Sequence, residues 1–316
     1  MADQREKETT PSAFTPGEWE ALRTNFGEKT AWAVRAGLSR YGKRWGLHGL
    51  RFIPYYSVNV LFAGRSVEYG DVVLKLGRPC REMFTECRAL REYNGRRFCR
   101  LYESEPEHGA LLLERLQPGT PLRAVEAPQE RWKIFCRVYT GLHILAADNT
   151  RYPTYSEWVE KAAHTMRRLA VFPALSLAME RAQALCRQLW ERYPDRLLLH
   201  GDLHHDNILH CADGRYRVID PKGVIGPTLF DLPRFLRNEP YAAFPHPEEH
   251  LWAAVDFLAG RTGYPPADVA RSFYVDTVMG LCWSVEDGAP AGEYPAMEET
   301  VHLAASLLAM YEIQDS

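Results

Sequence analysis

The chain has 316 residues, 46% of them hydrophobic, and a formal net charge of −3. That apolar content suffices for a large core in two lobes, and no run of about 18 apolar residues offers a membrane span. The opening "MADQREKETTPSAF" lacks the apolar stretch of a secretory signal, and the seven cysteines (80, 87, 99, 136, 186, 211, 282) include no C-x-x-C pair, which together point to a cytoplasmic protein with reduced, buried thiols.

Residues 1–15 are polar and are expected to be disordered, and Pro16 to about Arg40 has the apolar spacing of a helix. "LRFIPYYSVNVLFAGRSVEYGDVVLKLG" is rich in β-branched and aromatic residues, with Gly64 and Gly70 at expected turns, and reads as a strand meander. "PCREMFTECRALREYNG" is a helix between Pro79 and Gly95, and "RRFCRLYESEPEHGALLLERL" reads as two strands around a polar turn. After "QPGTPL" helices take over. Trp132, Phe135, Tyr139, Leu142 and Leu145 share one helical face, and further helices are expected at 174–192, 248–260, 267–285 and 296–312. Strands with a helix followed by mostly helices make an α+β protein with a boundary near Leu116–Gly119.

Charge divides along the chain. Residues 1–238 carry 36 bases and 28 acids, near +8, whereas 239–316 carry 2 bases and 13 acids, near −11. The asymmetry suggests an anionic ligand in the first region and a cationic small molecule in the second. Nucleic-acid binding is disfavoured, because the arginines at 81, 88, 91, 96, 97 and 100 have no aromatic platform interleaved with them.

The densest chemistry is "LLHGDLHHDNILHCADGRYRVID". Asp213-Gly214 between β-prone runs predicts a two-residue hairpin turn, which pairs 212 with 215, 208 with 219 and Asn207 with Asp220. Opposed residues share a face, so an amide oxygen and a carboxylate would make a hard oxygen site suited to Mg²⁺. Asp202, after Gly201, lies in the loop leading into that end. His200, His204, His205 and His210 offer a zinc alternative, disfavoured because the segment reads as strand–loop–strand rather than helix. Asp206 reads as structural.

Asp-x4-Asn followed thirteen residues later by an aspartate closing a hairpin resembles the catalytic and metal loops of the protein-kinase-like fold. Together, "LLLERLQPG", "LLHGDLHHDNIL", "VIDPKGVIG", "FDLPRFLRN" and "WSVEDG" resemble the aminoglycoside phosphotransferases, within them the streptomycin 6-phosphotransferase and hydroxyurea phosphotransferase group, over roughly residues 45–290. The resemblance implies a bilobal fold: an N-lobe (16–116) of antiparallel sheet with one packed helix, binding the nucleotide, and a mainly helical C-lobe (117–316) holding the catalytic loop and the acceptor. It implies ATP and Mg²⁺ as cofactors, Asp202 as catalytic base, Asn207 and Asp220 as metal ligands, and Lys75 on the phosphates. Glu86 is the partner of Lys75 by this match, and also by its place at the edge of the Met83–Phe84–Cys87–Leu90 stripe. Arg115 and Leu116 match the adenine-binding hinge. "YYSVN" stands where a glycine-rich loop would cover the phosphates, making Ser57 a candidate contact, and Pro-Lys-Gly after Asp220 suggests a stiff loop without an activation switch. Asp231 is expected to cap its helix or to brace the catalytic loop.

The expected reaction is phosphoryl transfer to a hydroxyl of a cationic acceptor such as streptomycin, an antibiotic-resistance activity. Trp283, Glu286 and Asp287 are the candidates for holding that cation, because paired carboxylates suit a guanidinium fork. The alternatives are a kinase of hydroxyurea or of a metabolite on the same fold, and a nucleotide-binding scaffold without catalysis. Oligomeric state is not legible.

Overall fold

The computed structural model describes residues 12–54, 59–239 and 244–314. The chain forms two compact units that divide after Gly119. In the first, helix α1 (Pro16–Arg44) precedes an antiparallel sheet of β1 (Leu47–Ile53), β2 (Val60–Ser66), β3 (Gly70–Leu76), β4 (Leu101–Glu105) and β5 (Ala110–Glu114), in the order β1-β2-β3-β5-β4. Helix α2 (Arg81–Tyr93) lies between β3 and β4 in the chain.

Strand alternation sorts the two faces of β3. Val72, Leu74 and Leu76 join Phe62, Leu112 and the α1 residues Trp19, Leu22, Ala31 and Val34 in one buried cluster. Lys75, between Leu74 and Leu76, turns to the opposite face and meets α2. Helix α1 starts at a capping box, with Thr15 and Glu18 each accepting the other's backbone N–H. It breaks at Gly27, where φ +78 departs from helical geometry, and runs on to Arg44. Residues 12–15, expected to belong to a disordered leader, pack instead: Ala13 and Phe14 are buried, and the Ala13 carbonyl accepts the N–H of Phe52. Gly64 lies inside β2 and not at a turn; a Cβ there would sit 2.7 Å from Leu50 Cδ2.

Strand β6 (Pro118–Pro121) spans the division. The second unit contains α3 (Pro128–Tyr139), α4 (Tyr155–Leu169), α5 (Pro173–Arg192), strands β7 (Leu197–Leu199), β8 (Ile208–Cys211), β9 (Tyr216–Val218) and β10 (Val224–Gly226), then α6 (Pro233–Arg237), α7 (Pro247–Thr262), α8 (Pro266–Glu286) and α9 (Tyr294–Gln314). Helix α8 runs among α4, α5, α6, α7 and α9, with Val269, Val275, Val278 and Met279 fully buried. Helix α3 stops before the end of its expected apolar face, because Gly141 turns the chain at φ +69; Leu142 stays buried, while Leu145 is exposed. Helix α4 had no counterpart in the periodicity reading, although a Thr154–Glu157 capping box begins it.

All seven cysteines are unbonded, six buried and Cys80 exposed. Among the described residues no helix is long and apolar enough to cross a membrane.

Candidate active site

In the first unit Lys75 and Glu86 form a buried ion pair. The Lys75 Nζ lies 2.8 Å from both carboxylate oxygens of Glu86, and both side chains are about 6% exposed. Arg115 follows β5 at the surface and Leu116 is buried. The Arg115 N–H donates to the Asp71 carbonyl at 3.3 Å, so any adenine contact from this segment falls to its other main-chain groups. Ser57 lies outside the described residues.

In the second unit the segment after β7 is wired by side chains to main chain. The buried Asp231 accepts the N–H groups of His200 (2.8 Å) and Gly201 (2.7 Å) and contacts His143 Nε2 (2.9 Å). Asp231 makes no cap to helix α6, so of its two expected roles the structure displays the bracing one. Burial alone would raise its pKa; the bond from His143 and the backbone N–H of Gly201 outweigh burial and hold it below the usual carboxylate range. Gly201 sits at φ +78, and a Cβ there would lie 2.9 Å from both Trp158 and Val224. Only glycine fits that turn.

His200 joins the two halves of the site. Its Nδ1 accepts the Asp202 N–H at 3.1 Å, and its Nε2 donates to the Ile219 carbonyl at 2.8 Å. Its own carbonyl accepts the Lys222 N–H. This arrangement needs the neutral imidazole, and burial pushes the pKa of His200 down, against the pull of Asp231, Asp202 and Asp220. Three carboxylates therefore surround one uncharged ring.

Asn207 ties the same loop from below. Its Nδ2 donates to the Asp202 carbonyl at 3.0 Å, which can only accept and so fixes the amide orientation, making Oδ1 the atom Asn207 can offer a cation. The Asn207 carbonyl accepts the N–H of Ile219. This corrects the expected register. Cys211 pairs with Arg215 around a three-residue loop, Ile208 faces Val218, and Asn207 thus faces Ile219, not Asp220. The reason is Asp213, which stays at negative φ where a two-residue type I′ turn would need it positive; Gly214 alone takes the left-handed position, at φ +76. Asp220 follows at φ +58 and leaves the strand geometry. Asn207 and Asp220 thus share a neighbourhood through Ile219 rather than by cross-strand opposition.

The remaining histidines have other work. His205, fully buried, contacts Glu239 at 2.7 Å, and Glu239 also pairs with Arg131. Burial disfavours charge on Glu239, but the bonds from His205 and Arg131 prevail and lower its pKa to about 2. His204 Nε2 lies 3.2 Å from Asn207 Nδ2, and His210 rests against Tyr216 on the hairpin. Asp206 is clamped by Arg123 through two bonds of 2.8 and 2.7 Å, the structural role expected of it.

The Asp202 carboxylate is part-buried. Its Oδ1 takes a bond from Arg234 Nη1 at 3.3 Å, and Oδ2 lies 3.8 Å from His204 Nε2. Arg234 in turn faces Trp283, its guanidinium carbon 5.2 Å from the ring centre, and Trp283 meets Trp158 edge-on at 5.7 Å. Trp283 is thereby placed beside the loop. Glu286, one turn further along α8, pairs at 3.6 Å with Lys161, and Asp287 is exposed at the helix end. Sequence reasoning passed over Arg234, His143 and Trp158. A lone arginine inside the apolar "DLPRFL" was the one available signal.

The family model for aminoglycoside/hydroxyurea antibiotic resistance kinase matches residues 59–288. A streptomycin 3''-kinase from Klebsiella pneumoniae is 28% identical over 231 residues, covering 70% of this chain and 83% of the relative. A hydroxyurea phosphotransferase from Kitasatospora aureofaciens is 29% identical over 289 residues, covering 87% and 82%, and a streptomycin 6-kinase from Streptomyces glaucescens is 26% identical, covering 69% and 72%. Among solved structures, choline kinase LicA from Streptococcus pneumoniae superposes with a TM-score of 0.62 at 14% identity, covering 88% of this chain and 99% of that one. A thermostable mutant of aminoglycoside phosphotransferase APH(4)-Ia, in complex with ADP and hygromycin B, gives 0.60 at 15%, covering 86% and 97%. The fold is therefore protein-kinase-like, and the chain belongs to the aminoglycoside/hydroxyurea antibiotic resistance kinases, a phosphotransferase with a hydroxyl group as acceptor.

Proposed function

We propose that the protein transfers the γ-phosphoryl group of ATP to a hydroxyl of a cationic small molecule, with streptomycin the first acceptor to test. The observation that carries this reading is the fixed loop around Asp202, whose backbone N–H is held by His200, whose carbonyl is held by Asn207 and whose part-buried carboxylate is held by Arg234. The streptomycin kinases among the relatives support the acceptor, as does the net charge near −11 of residues 239–316.

In this reading Asp202 orients the acceptor hydroxyl and takes its proton, while the acceptor oxygen bonds to the γ-phosphorus and the bond to ADP breaks. Lys75, kept in place by Glu86, neutralises phosphate charge, with Arg115 and Leu116 at the adenine and Ser57 over the phosphates. Residues 16–116 serve the nucleotide, and 117–316 the catalysis and the acceptor. Asn207 Oδ1 and the Asp220 carboxylate are hard oxygen donors of the type Mg²⁺ takes. Bound there, the ion would offset charge on the phosphates. Trp283, Glu286 and Asp287 receive the cation, and the seven unbonded thiols suit a cytoplasmic setting.

The test is mass spectrometry of streptomycin incubated with enzyme, ATP and Mg²⁺. A gain of one phosphate group is expected, and Asp202→Ala should lose it by about 10²-fold or more. Undiminished transfer by Asp202→Ala would remove the residue from its role as base. An unchanged mass for streptomycin, with ATP consumed on hydroxyurea or a metabolite hydroxyl, would move the acceptor to the rival class.

A further inference from the structure

We propose that Arg234 is the positioning residue of the catalytic carboxylate, holding Oδ1 of Asp202 so that Oδ2 is presented to the acceptor hydroxyl. The inference rests on Asp202 being the base. Arg234 is one-tenth exposed and its fork is anchored on three sides. Nε donates to Asp276 Oδ1 at 2.9 Å, Nη1 donates to Asp202 Oδ1 at 3.3 Å, and the guanidinium lies over Trp283. The anchor itself is rigid. Asp276, on the central helix α8, is fully buried and also accepts the Tyr155 hydroxyl at 3.0 Å. Arg237 pairs with its Oδ2 at 3.3 Å and donates to its carbonyl at 3.1 Å. Gly280, one helical turn along α8, makes room for that arginine: a Cβ there would lie 1.9 Å from Arg237 Nη1.

The fold alone does not require this arrangement. Burying a second arginine beside a carboxylate that already has Arg237 and Tyr155 carries a desolvation cost, and the pair returns it only if geometry is good at both ends. The second end is Asp202. A planar guanidinium can grip two carboxylates at once, one deep in the helical core and one on the catalytic loop, which a point charge cannot do equally well. The two oxygens of Asp202 are thereby made inequivalent: one is bonded to Arg234, and the other lies 3.8 Å from the imidazole of His204 with no hydrogen bond among the described residues. Positioning of this kind acts on the rate of the chemical step and leaves nucleotide binding alone.

The experiment compares Arg234→Met, Arg234→Lys and Asp202→Asn in ATP- and Mg²⁺-dependent transfer to streptomycin, with acceptor-free ATP hydrolysis as a second readout in which water stands in for the hydroxyl. Arg234→Met should lower kcat by about 30- to 100-fold in both reactions, with the KM for ATP within about twofold of the parent. Arg234→Lys keeps the buried charge and therefore the fold, but loses the fork; it should recover part of the rate and remain about tenfold below the parent. Parental kcat in Arg234→Lys would overturn the fork, and parental kcat in Arg234→Met with an inactive Asp202→Asn would overturn positioning altogether. Activity surviving in Asp202→Asn would instead overturn the base on which the inference stands.

Discussion

The two units hold their buried charges in different ways. In the first, Lys75 and Glu86 come from a strand and a helix, each delivered to its place by the repeat of its element: period two puts Lys75 on the face opposite Leu74 and Leu76, and the helical turn puts Glu86 at the edge of the Met83–Cys87–Leu90 stripe. In the second, Asp202 sits in irregular chain, and its place is set by hydrogen bonds to His200, Asn207 and Arg234, which are themselves tied to Asp231, Ile219 and Asp276. A charge placed by regular structure depends on packing. A charge placed by a wired loop depends on protonation and on partners far away in the chain.

The largest effect should come from breaking the first arrangement. Lys75→Met leaves the Glu86 carboxylate buried against an apolar neighbour, and is expected to cost about 3–5 kcal/mol by denaturant titration as well as nearly all activity. Adding Glu86→Leu should restore most of the stability and none of the activity. If Lys75→Met alone is as stable as the parent, the pair contributes nothing to holding this unit together, and the contrast between the units fails at its first term.

This contrast also explains what was legible in the amino-acid sequence. The helices at 174–192, 248–260 and 267–285 and the boundary region near 116–119 follow from periodicity and breakers, which are local properties, while the Lys75–Glu86 pair follows from the family resemblance, with the helical stripe agreeing on Glu86. The hairpin register did not follow, because a single dihedral at Asp213 decided between a two- and a three-residue loop and moved every pair by one. Nor did the grip of Arg234 on Asp202 or of His143 on Asp231, 32 and 88 residues apart in the chain. Such contacts are made by the fold as a whole, and no local pattern encodes them.

The second arrangement is sharpened by pH. His200 and His205 are both buried with pKa values below 6.5, chiefly because burial disfavours the imidazolium. As pH falls below 6.5 the unfolded chain takes up protons on these rings that the folded chain refuses, so their contribution to stability is complete above pH 6.5 and is lost as pH falls from 6.5 toward the depressed folded values. Each can contribute a slope of up to about 1.4 kcal/mol per pH unit. Glu239, lowered to about 2 from an ordinary 4.5, adds its own loss only below pH 4.5, so the window between 6.5 and 4.5 belongs to the histidines. Thermal midpoints should therefore decline from pH 7 to pH 5, and less steeply in His200→Asn and His205→Gln. Equal slopes in the variants and the parent would place the pH sensitivity outside the loop.

The smallest effect tests whether charge at the end of α8 belongs to function or only to surface. Glu286 shares its carboxylate with the exposed Lys161 at 3.6 Å, and pairs of that kind are worth about 0–1 kcal/mol, so replacing Glu286 and Asp287 with Gln and Asn should leave the unfolding midpoint nearly unmoved. A cationic acceptor has a different stake. Two carboxylates near Trp283 would attract it at long range and lose that attraction in the variant, raising its KM by several-fold at low salt while the KM for ATP stays put. Because Debye screening weakens such attraction, the difference between parent and variant should shrink as ionic strength rises toward 0.5 M. An unchanged KM at low salt would take Glu286 and Asp287 out of the acceptor site, leaving Trp283, which touches Arg234, as the one member of that group joined to the wired loop.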